Sequence, residues 1–433
     1  MNLPCSLHWL QGLLLISGAF FVVIYQSGWA LAELGGWSLL IWLHAALLGV
    51  LQAYWLYRLA QAYPHKAGGT AVYAREVFGG RSRWLAFLSG WGYWLAWTPA
   101  TVLNSYICAT LLNGALESSF NPTLLTIGIM ALLYALNWFG LGRVMVSSYA
   151  LAFLTFLPLL VLVGIALDTF EVSRLYALLN PPTRLDALGY LKWFFVVAWT
   201  AYGLEMISSV VAEIRGGLKP MFGWAAAWSL LAFAGIPFLL AMVSDAETLQ
   251  NDPVMALKPL FVAYLGPQGA TLLLLFLVGA LLYSALAILV PSTRTVYQMS
   301  LDGLLPPYFA RLNRYGTPQG SLVLDMGLNL ALLLVFGPSL VSILAVANVG
   351  YMAVFVLLPW VYALFLRRRG GLNGPTAALI GGVFGFNLLV LLLGSYAWGG
   401  LVFWMGWLLL GLGVLLFFVA ARARPEESAM QRG

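Results

Sequence analysis

The chain reads as an all-α integral membrane protein with about twelve transmembrane helices. Composition, the shape of its apolar runs and the sidedness of its charge each point there. Hydrophobic residues fill 62% of 433 positions and charged residues 8%, with a mean hydropathy of +0.91. Soluble domains carry about 25% charged residues, so this chain is built to dissolve in lipid. Its apolar stretches are continuous rather than alternating, and several exceed the roughly 20 residues a spanning helix needs. Only helices or closed barrels satisfy their backbone in hydrocarbon, and unbroken runs select the helix.

Taken in order, the predicted spans are 10–31, 37–60, 84–112, 122–139, 144–167, 190–212, 221–243, 269–301, 319–336, 339–366, 374–395 and 398–420. The third, eighth and tenth are long enough to tilt or to project past the bilayer. With the N-terminus inside, one set of loops and ends carries Arg58, Lys66, Arg75, Arg81 and Arg83, then Arg143, then Arg215 and Lys219. The same side holds Arg294, Arg311 and Arg314, then Arg367 to Arg369, and finally Arg422, Arg424 and Arg432. Only Arg174, Arg184, Lys192 and Lys258 of the 21 basic residues fall opposite. That asymmetry predicts a multi-pass protein of the cytoplasmic membrane with both termini cytoplasmic. The net charge of +6 then matches anionic inner-leaflet lipid, and no nucleic-acid partner is expected. The segment Met1 to Cys5 lacks a basic leader, so the first span is expected to be retained. Asp245 to Gly266 reads as a cap over the vestibule.

Catalytic signals are nearly absent, and an enzyme is not expected. His8, His44 and His65 show no metal-ligand spacing, and neither a nucleophile elbow nor a phosphate loop occurs. His44, inside the second span, reads as a neutral imidazole bonded to a neighbouring helix. Cys5 and Cys108 imply no disulfide framework, and no cofactor is expected. Ionisable groups within spans are costly and therefore mark function. Glu205 lies deep in the sixth span. Asp325 falls near the start of the ninth and reads as an interfacial carboxylate. Arg294 is close enough to the end of the eighth to snorkel, with Asp302 or Glu213 as partner. Trp199-Thr200-Ala201-Tyr202-Gly203-Leu204-Glu205 joins a gate-sized aromatic, a helix-loosening glycine and a buried acid. Transporters build their sites from helices interrupted in this way.

Several segments resemble those of amino acid–polyamine–organocation permeases. Ser292 to Pro306, continued by Arg311, Arg314, Gly316, Thr317 and Pro318, resembles the end of the eighth span and its loop. Pro64-His65-Lys66-Ala67-Gly68-Gly69 with Tyr73 resembles the segment ahead of the third span, and Trp91, Tyr93, Trp94 and Trp97 its aromatic start. Asn137-Trp138-Phe139-Gly140 resembles the entry to span five, and Gly203-Leu204-Glu205 the Gly-x-Glu helix. The resemblance covers most of residues 10–370. It implies an amino-acid transporter with two inverted five-helix repeats, residues 10–167 and 190–366, and two extra helices over 374–420. A short N-terminus (1–9) and a tail (421–433) flank them, with spans one and six discontinuous. It further implies a substrate site from Ala19, Phe21, Val22 and Val23 on span one and Ala96, Trp97, Thr101 and Asn104 on span three. Trp199, Thr200, Tyr202 and Gly203 on span six and Ser284 on span eight complete it. The carbonyls of Trp199, Thr200 and Tyr202 would face an amine, with Trp199 as gate. Glu205, Thr155 and Arg294 would serve coupling and gating.

Two positions depart from the family pattern. The first-span break, usually rich in glycine, falls on Phe21-Val22-Val23, and no glycine occurs between Gly18 and Gly28. Branched side chains resist open loop geometries and obstruct approach to backbone amides. A lysine common in span five is replaced by Thr155. Three coupling modes stay open: a sodium ion near Thr155 and Ser284, ion-free exchange, or proton coupling through Glu205. Two alternatives to amino-acid transport stand beside it, an amine or polyamine exchanger and a non-transporting membrane sensor. The sequence leaves the substrate and the oligomeric state open.

Overall fold

A computed structural model describes residues 7–10, 13, 22–64, 69–78, 83–140, 157–181, 184–211, 214–215, 217–244 and 246–422. The chain is helical nearly throughout. Among the described residues its strand content is a two-residue parallel pair, β1 (Leu7–His8) with β2 (Ile214–Arg215). Among the described residues, eight helical segments are long and apolar enough to cross a membrane: Trp37–Ala62, Arg83–Leu116, Leu218–Val243, Leu257–Leu301, Gln319–Phe336, Leu340–Arg368, Gly374–Gly394 and Gly400–Ala420. Two shorter apolar helices, Pro122–Trp138 and Leu157–Asp168, join them.

In chain order the helices are α1 (Val23–Leu34), α2 (Trp37–Ala62), α3 (Gly69–Phe78), α4 (Arg83–Trp97) and α5 (Ala100–Leu116). Then follow α6 (Pro122–Trp138), α7 (Leu157–Asp168), α8 (Val172–Leu179), α9 (Ala187–Ala201) and α10 (Ile207–Val210). The remainder are α11 (Leu218–Val243), α12 (Ala246–Asn251), α13 (Leu257–Leu301), α14 (Gln319–Phe336), α15 (Leu340–Arg368), α16 (Gly374–Leu389) and α17 (Gly400–Arg422). A π turn, Val390–Gly394, extends α16.

The expected third span, 84–112, is interrupted. A turn at Thr98-Pro99 separates α4 from α5 because proline has no N–H to continue the ladder. The expected vestibule cap contains α12 and the first turns of α13. Gly266, at φ 70°, then breaks α13 ahead of Pro267, which is why its apolar run starts late. α12 packs on α1, with Leu249 and Pro253 against Gly28.

Packing places α13 on α5, α15 on α4 and α11 on α2. α4 and α15 cross at two glycines. A β-carbon on Gly350 would lie 3.0 Å from the Gly92 carbonyl, and one on Gly92 2.5 Å from the Gly350 carbonyl. Small residues at such crossings let backbones touch where apolar burial gives helices no preference for each other over lipid. The crossing brings Trp97 and Tyr351 to the same point in the core.

Candidate functional site

The geometry starts where α9 stops. α9 is capped at Tyr202, and Gly203–Met206 tightens into a 3-10 turn before α10 resumes. Glycine is a poor helix former, so the interruption falls where the helix is cheapest to leave. The Tyr202 carbonyl accepts the Glu205 N–H at 3.2 Å. That bond uses one of the two lone pairs of the carbonyl. The interruption is a tightened helix rather than an open loop.

Glu205 sits in that turn, fully buried. Its Oε1 accepts from Trp97 Nε1 at 2.8 Å and from the Tyr351 hydroxyl at 2.9 Å. Its Oε2 has no hydrogen-bond partner among the described residues. Three aromatic rings cluster beside it: Trp97 lies 5.0 Å from Trp199 and 5.4 Å from Tyr351. Trp199 is itself anchored, its Nε1 donating to the Ala96 carbonyl at 2.7 Å. An unfilled carboxylate oxygen among aromatic rings suits an ammonium or guanidinium group.

The start of α1 meets the end of α9 through Gln26. Its amide donates to the Val196 carbonyl at 2.5 Å, and Thr200 donates to its Oε1. Asn348 on α15 donates to the neighbouring Phe195 carbonyl. Val22 caps α1 without a side-chain hydrogen bond, and Val23 is its first helical residue; both are buried. The two valines thus begin a helix. Ala19 and Phe21, ahead of them, and Thr155 lie outside the described residues, as do Cys5, His65, Glu213 and most of the loop before Gly69.

On the opposite wall, Asn104 donates to Ser284 at 3.2 Å, joining α5 to α13. The Asn104 Oδ1, the Ser105 and Ser27 hydroxyls and the Tyr25 hydroxyl are buried without hydrogen-bond partners among the described residues. Thr101 is buried on the same helix as Asn104. Ala96, Trp97, Trp199, Tyr202, Gly203 and Glu205 are thus brought together. Ser284 and Asn104 form a second, adjoining pair. Arg294 belongs elsewhere, lining a small cavity with Asn137, Tyr315 and Thr317. Asp302, expected as its partner, pairs with Arg75 at 2.6 Å and also accepts from Gln298 at 3.1 Å.

Asp325 requires a correction. It is fully buried rather than interfacial. Oδ2 accepts from Thr98 at 2.6 Å, Ser292 at 2.8 Å and Trp94 at 3.2 Å. Oδ1 accepts from Tyr134 at 2.6 Å and Asn329 at 3.3 Å. Asn329 Oδ1 in turn accepts the Val102 N–H at 3.0 Å, just past the Pro99 interruption. One carboxylate thereby ties α4, the Thr98-Pro99 turn, α6, α13 and α14 together.

A cavity of about 490 Å³ opens at the other end of α1, between Trp29, Glu33, Trp193, Gln250 and Trp398. Lys192 bonds Glu33 at 2.5 Å there, and its ammonium lies 4.6 Å from the Trp398 ring centroid. His44 bonds Tyr190 on a neighbouring helix, as expected of it. Sequence reasoning missed Gln26, Tyr351, Asn348 and the Asp325–Asn329 pair as contributors. Amides inside apolar spans are costly enough to have flagged Gln26, Asn329 and Asn348. Tyr351, one aromatic among many, carried no such signal.

Comparison with known proteins identifies the family. The family model described as "Amino acid permease" matches residues 7–429. An uncharacterized transporter of Legionella pneumophila is 25% identical over 60% of this chain and 58% of its own length. The arginine/ornithine antiporter ArcD1 of Lactococcus lactis is 25% identical over 59% of this chain and 54% of its own. The L-lysine transport protein of Corynebacterium glutamicum is 23% identical over 79% and 70% respectively. The chain thus spans little more than half the length of the first two of these relatives. The family match covers nearly every residue, and the relatives it accompanies are transporters rather than enzymes. With its apolar helices, this chain is a multi-pass membrane protein belonging to the amino acid permease family.

Proposed function

We propose that the protein exchanges or imports a cationic amino acid across the cytoplasmic membrane by alternating access. The observation that carries this is the buried Glu205 carboxylate, one oxygen held by Trp97 and Tyr351 and the other unfilled. A cationic side chain or amine would complete it, with the Trp97, Trp199 and Tyr351 rings contributing cation–π attraction. The start of α1 at Val22, cross-tied to α9 by Gln26, offers helix N-terminal amides to the substrate's carboxylate. Relatives named for arginine, ornithine and lysine support the cationic class.

The architecture proposed with it has twelve spans. The eight long helices are supplemented by α1 with the residues before it, by α6, by α7 with the residues before it, and by the interrupted α9–α10. Residues 10–167 and 190–366 form the inverted repeats, 374–420 the extra pair, and both termini are cytoplasmic. Coupling by sodium near Thr155 and Ser284, by protons at Glu205, or by counter-substrate alone remains for experiment to separate.

A second reading, amine exchange, is favoured by the branched Val22 and Val23 at the start of α1, which narrow access to its amides. Proteoliposome uptake of labelled arginine, lysine and ornithine beside their decarboxylated amines tests both. Each is driven by a sodium gradient, a proton gradient or internal counter-substrate. Uptake of the amino acid but not its amine supports the first reading, and uptake of the amine the second. Absence of any flux would leave the non-transporting sensor.

A further inference from the structure

α16 lies outside the ten helices of the proposed repeats, and most of its surface is exposed. Its buried residues form a single stripe: Ile380, Val383 and Asn387, continued through the π turn by Val390, Leu391 and Gly394. Asn387 is the polar member of that stripe and is fully buried. A primary amide placed there needs partners for two hydrogens and an oxygen.

Each is supplied by a different helix. Nδ2 donates to the Phe355 carbonyl on α15 at 2.7 Å and to Gln52 Oε1 on α2 at 2.9 Å. Oδ1 accepts the Tyr202 hydroxyl at 3.0 Å. Tyr202 is the residue at which α9 stops, and its ring lies 4.6 Å from that of Phe355. α2 also packs its backbone on the end of α9 at Gly49, where a β-carbon would collide with the Ala201 carbonyl.

The contact continues along α9. A β-carbon on Gly394, the last residue of the π turn, would lie 2.6 Å from the Leu191 carbonyl and 2.8 Å from Phe195 Cβ. Trp398, beyond the turn, donates to the Lys192 carbonyl at 2.9 Å. α16 with its extension therefore runs beside α9 from Lys192 to Tyr202. π turns are rare and concentrate at functional sites.

We propose that Asn387 is a positioning residue for the substrate site. From a peripheral helix it fixes the Tyr202 side chain, and with it the geometry of the Tyr202–Met206 turn that presents Glu205. α16 with its extension is then a splint on the interrupted helix rather than an accessory. The inference rests on the reading of that turn as the substrate site.

Asn387→Leu, Tyr202→Phe and the double variant test it in reconstituted full-length protein, by two readouts. One is the concentration dependence of labelled arginine uptake. The other, independent of substrate, is amide hydrogen exchange over residues 199–207. Asn387→Leu is expected to raise KM about fivefold or more with kcat changed less than about twofold, and the double variant to be no worse than the worse single. Exchange across 201–206 should quicken while that of α14 stays unchanged. Unaltered KM with unaltered exchange, or effects that multiply, overturns the proposal. Should wild-type protein carry no arginine, the substrate reading fails and the exchange measurement alone decides the positioning role. Should Asn387→Leu not fold, Tyr202→Phe decides, since it removes one hydroxyl and keeps the Gln52 and Phe355 bonds.

Discussion

Among the described residues two carboxylates lie fully buried, and they are treated oppositely. Asp325 receives five donors from five segments, so both oxygens are satisfied. Glu205 receives two donors on one oxygen, and the other is left without a partner among the described residues. A saturated buried acid ties helices together, and on the proposed reading the unsaturated one meets a cationic group or a proton. Burial alone does not separate the two roles; the donor inventory does.

The sharpest way to break this contrast is to remove the tie. Asp325→Ala strands the Thr98, Ser292, Trp94, Tyr134 and Asn329 donors, and a loss of about 3–5 kcal/mol is expected. Thermal unfolding of the purified protein in detergent measures it, and a wild-type melting temperature would dissolve the distinction. Glu205→Gln should do the reverse. A glutamine can still accept from Trp97 and Tyr351, so stability should hold within about 1 kcal/mol while uptake of a cationic substrate falls about tenfold or more. Wild-type uptake by this variant would remove Glu205 from the site.

Acidity sharpens the comparison further. Acid places a proton on Glu205 and cancels the charge a cation would meet. Apparent affinity for a cationic amino acid should therefore weaken as the medium is acidified, and Glu205→Gln should lack that dependence. Equal pH profiles for the two proteins would assign the titration elsewhere. Trp97→Phe keeps a ring and deletes one donor to Glu205. A cost of about 1 kcal/mol, read as a roughly fivefold rise in KM, is expected. Smallest of all, Arg75→Ala breaks an ion pair whose arginine is half exposed, and unfolding should shift by no more than about 1 kcal/mol.

Much of this was legible from residue types. Apolar runs mark the long helices because lipid tolerates little else, and Gly203 ahead of Glu205 marks the interruption. Asp325 was misjudged because position along a span says nothing of donors arriving from other helices. Thr98 and Ser292 are ordinary hydroxyls until folding aims both at one oxygen. The Thr98-Pro99 turn hid within a hydrophobic stretch whose composition never changes. Tyr202 was read for its carbonyl, but its hydroxyl holds the long-range bond to Asn387, 185 residues away. Sequence separation of that size is invisible to any local pattern.

The meeting of Gly92 with Gly350 has a mechanical consequence. Two backbones in contact, with no side chain between them, set the gauge from which Trp97 and Tyr351 are measured onto a single oxygen of Glu205. A methyl group at either position would act as a shim, levering α4 from α15 and pulling the two donors off their common target. Tolerance for the two donors is thus machined into a crossing that supplies no hydrogen bond of its own to the acid.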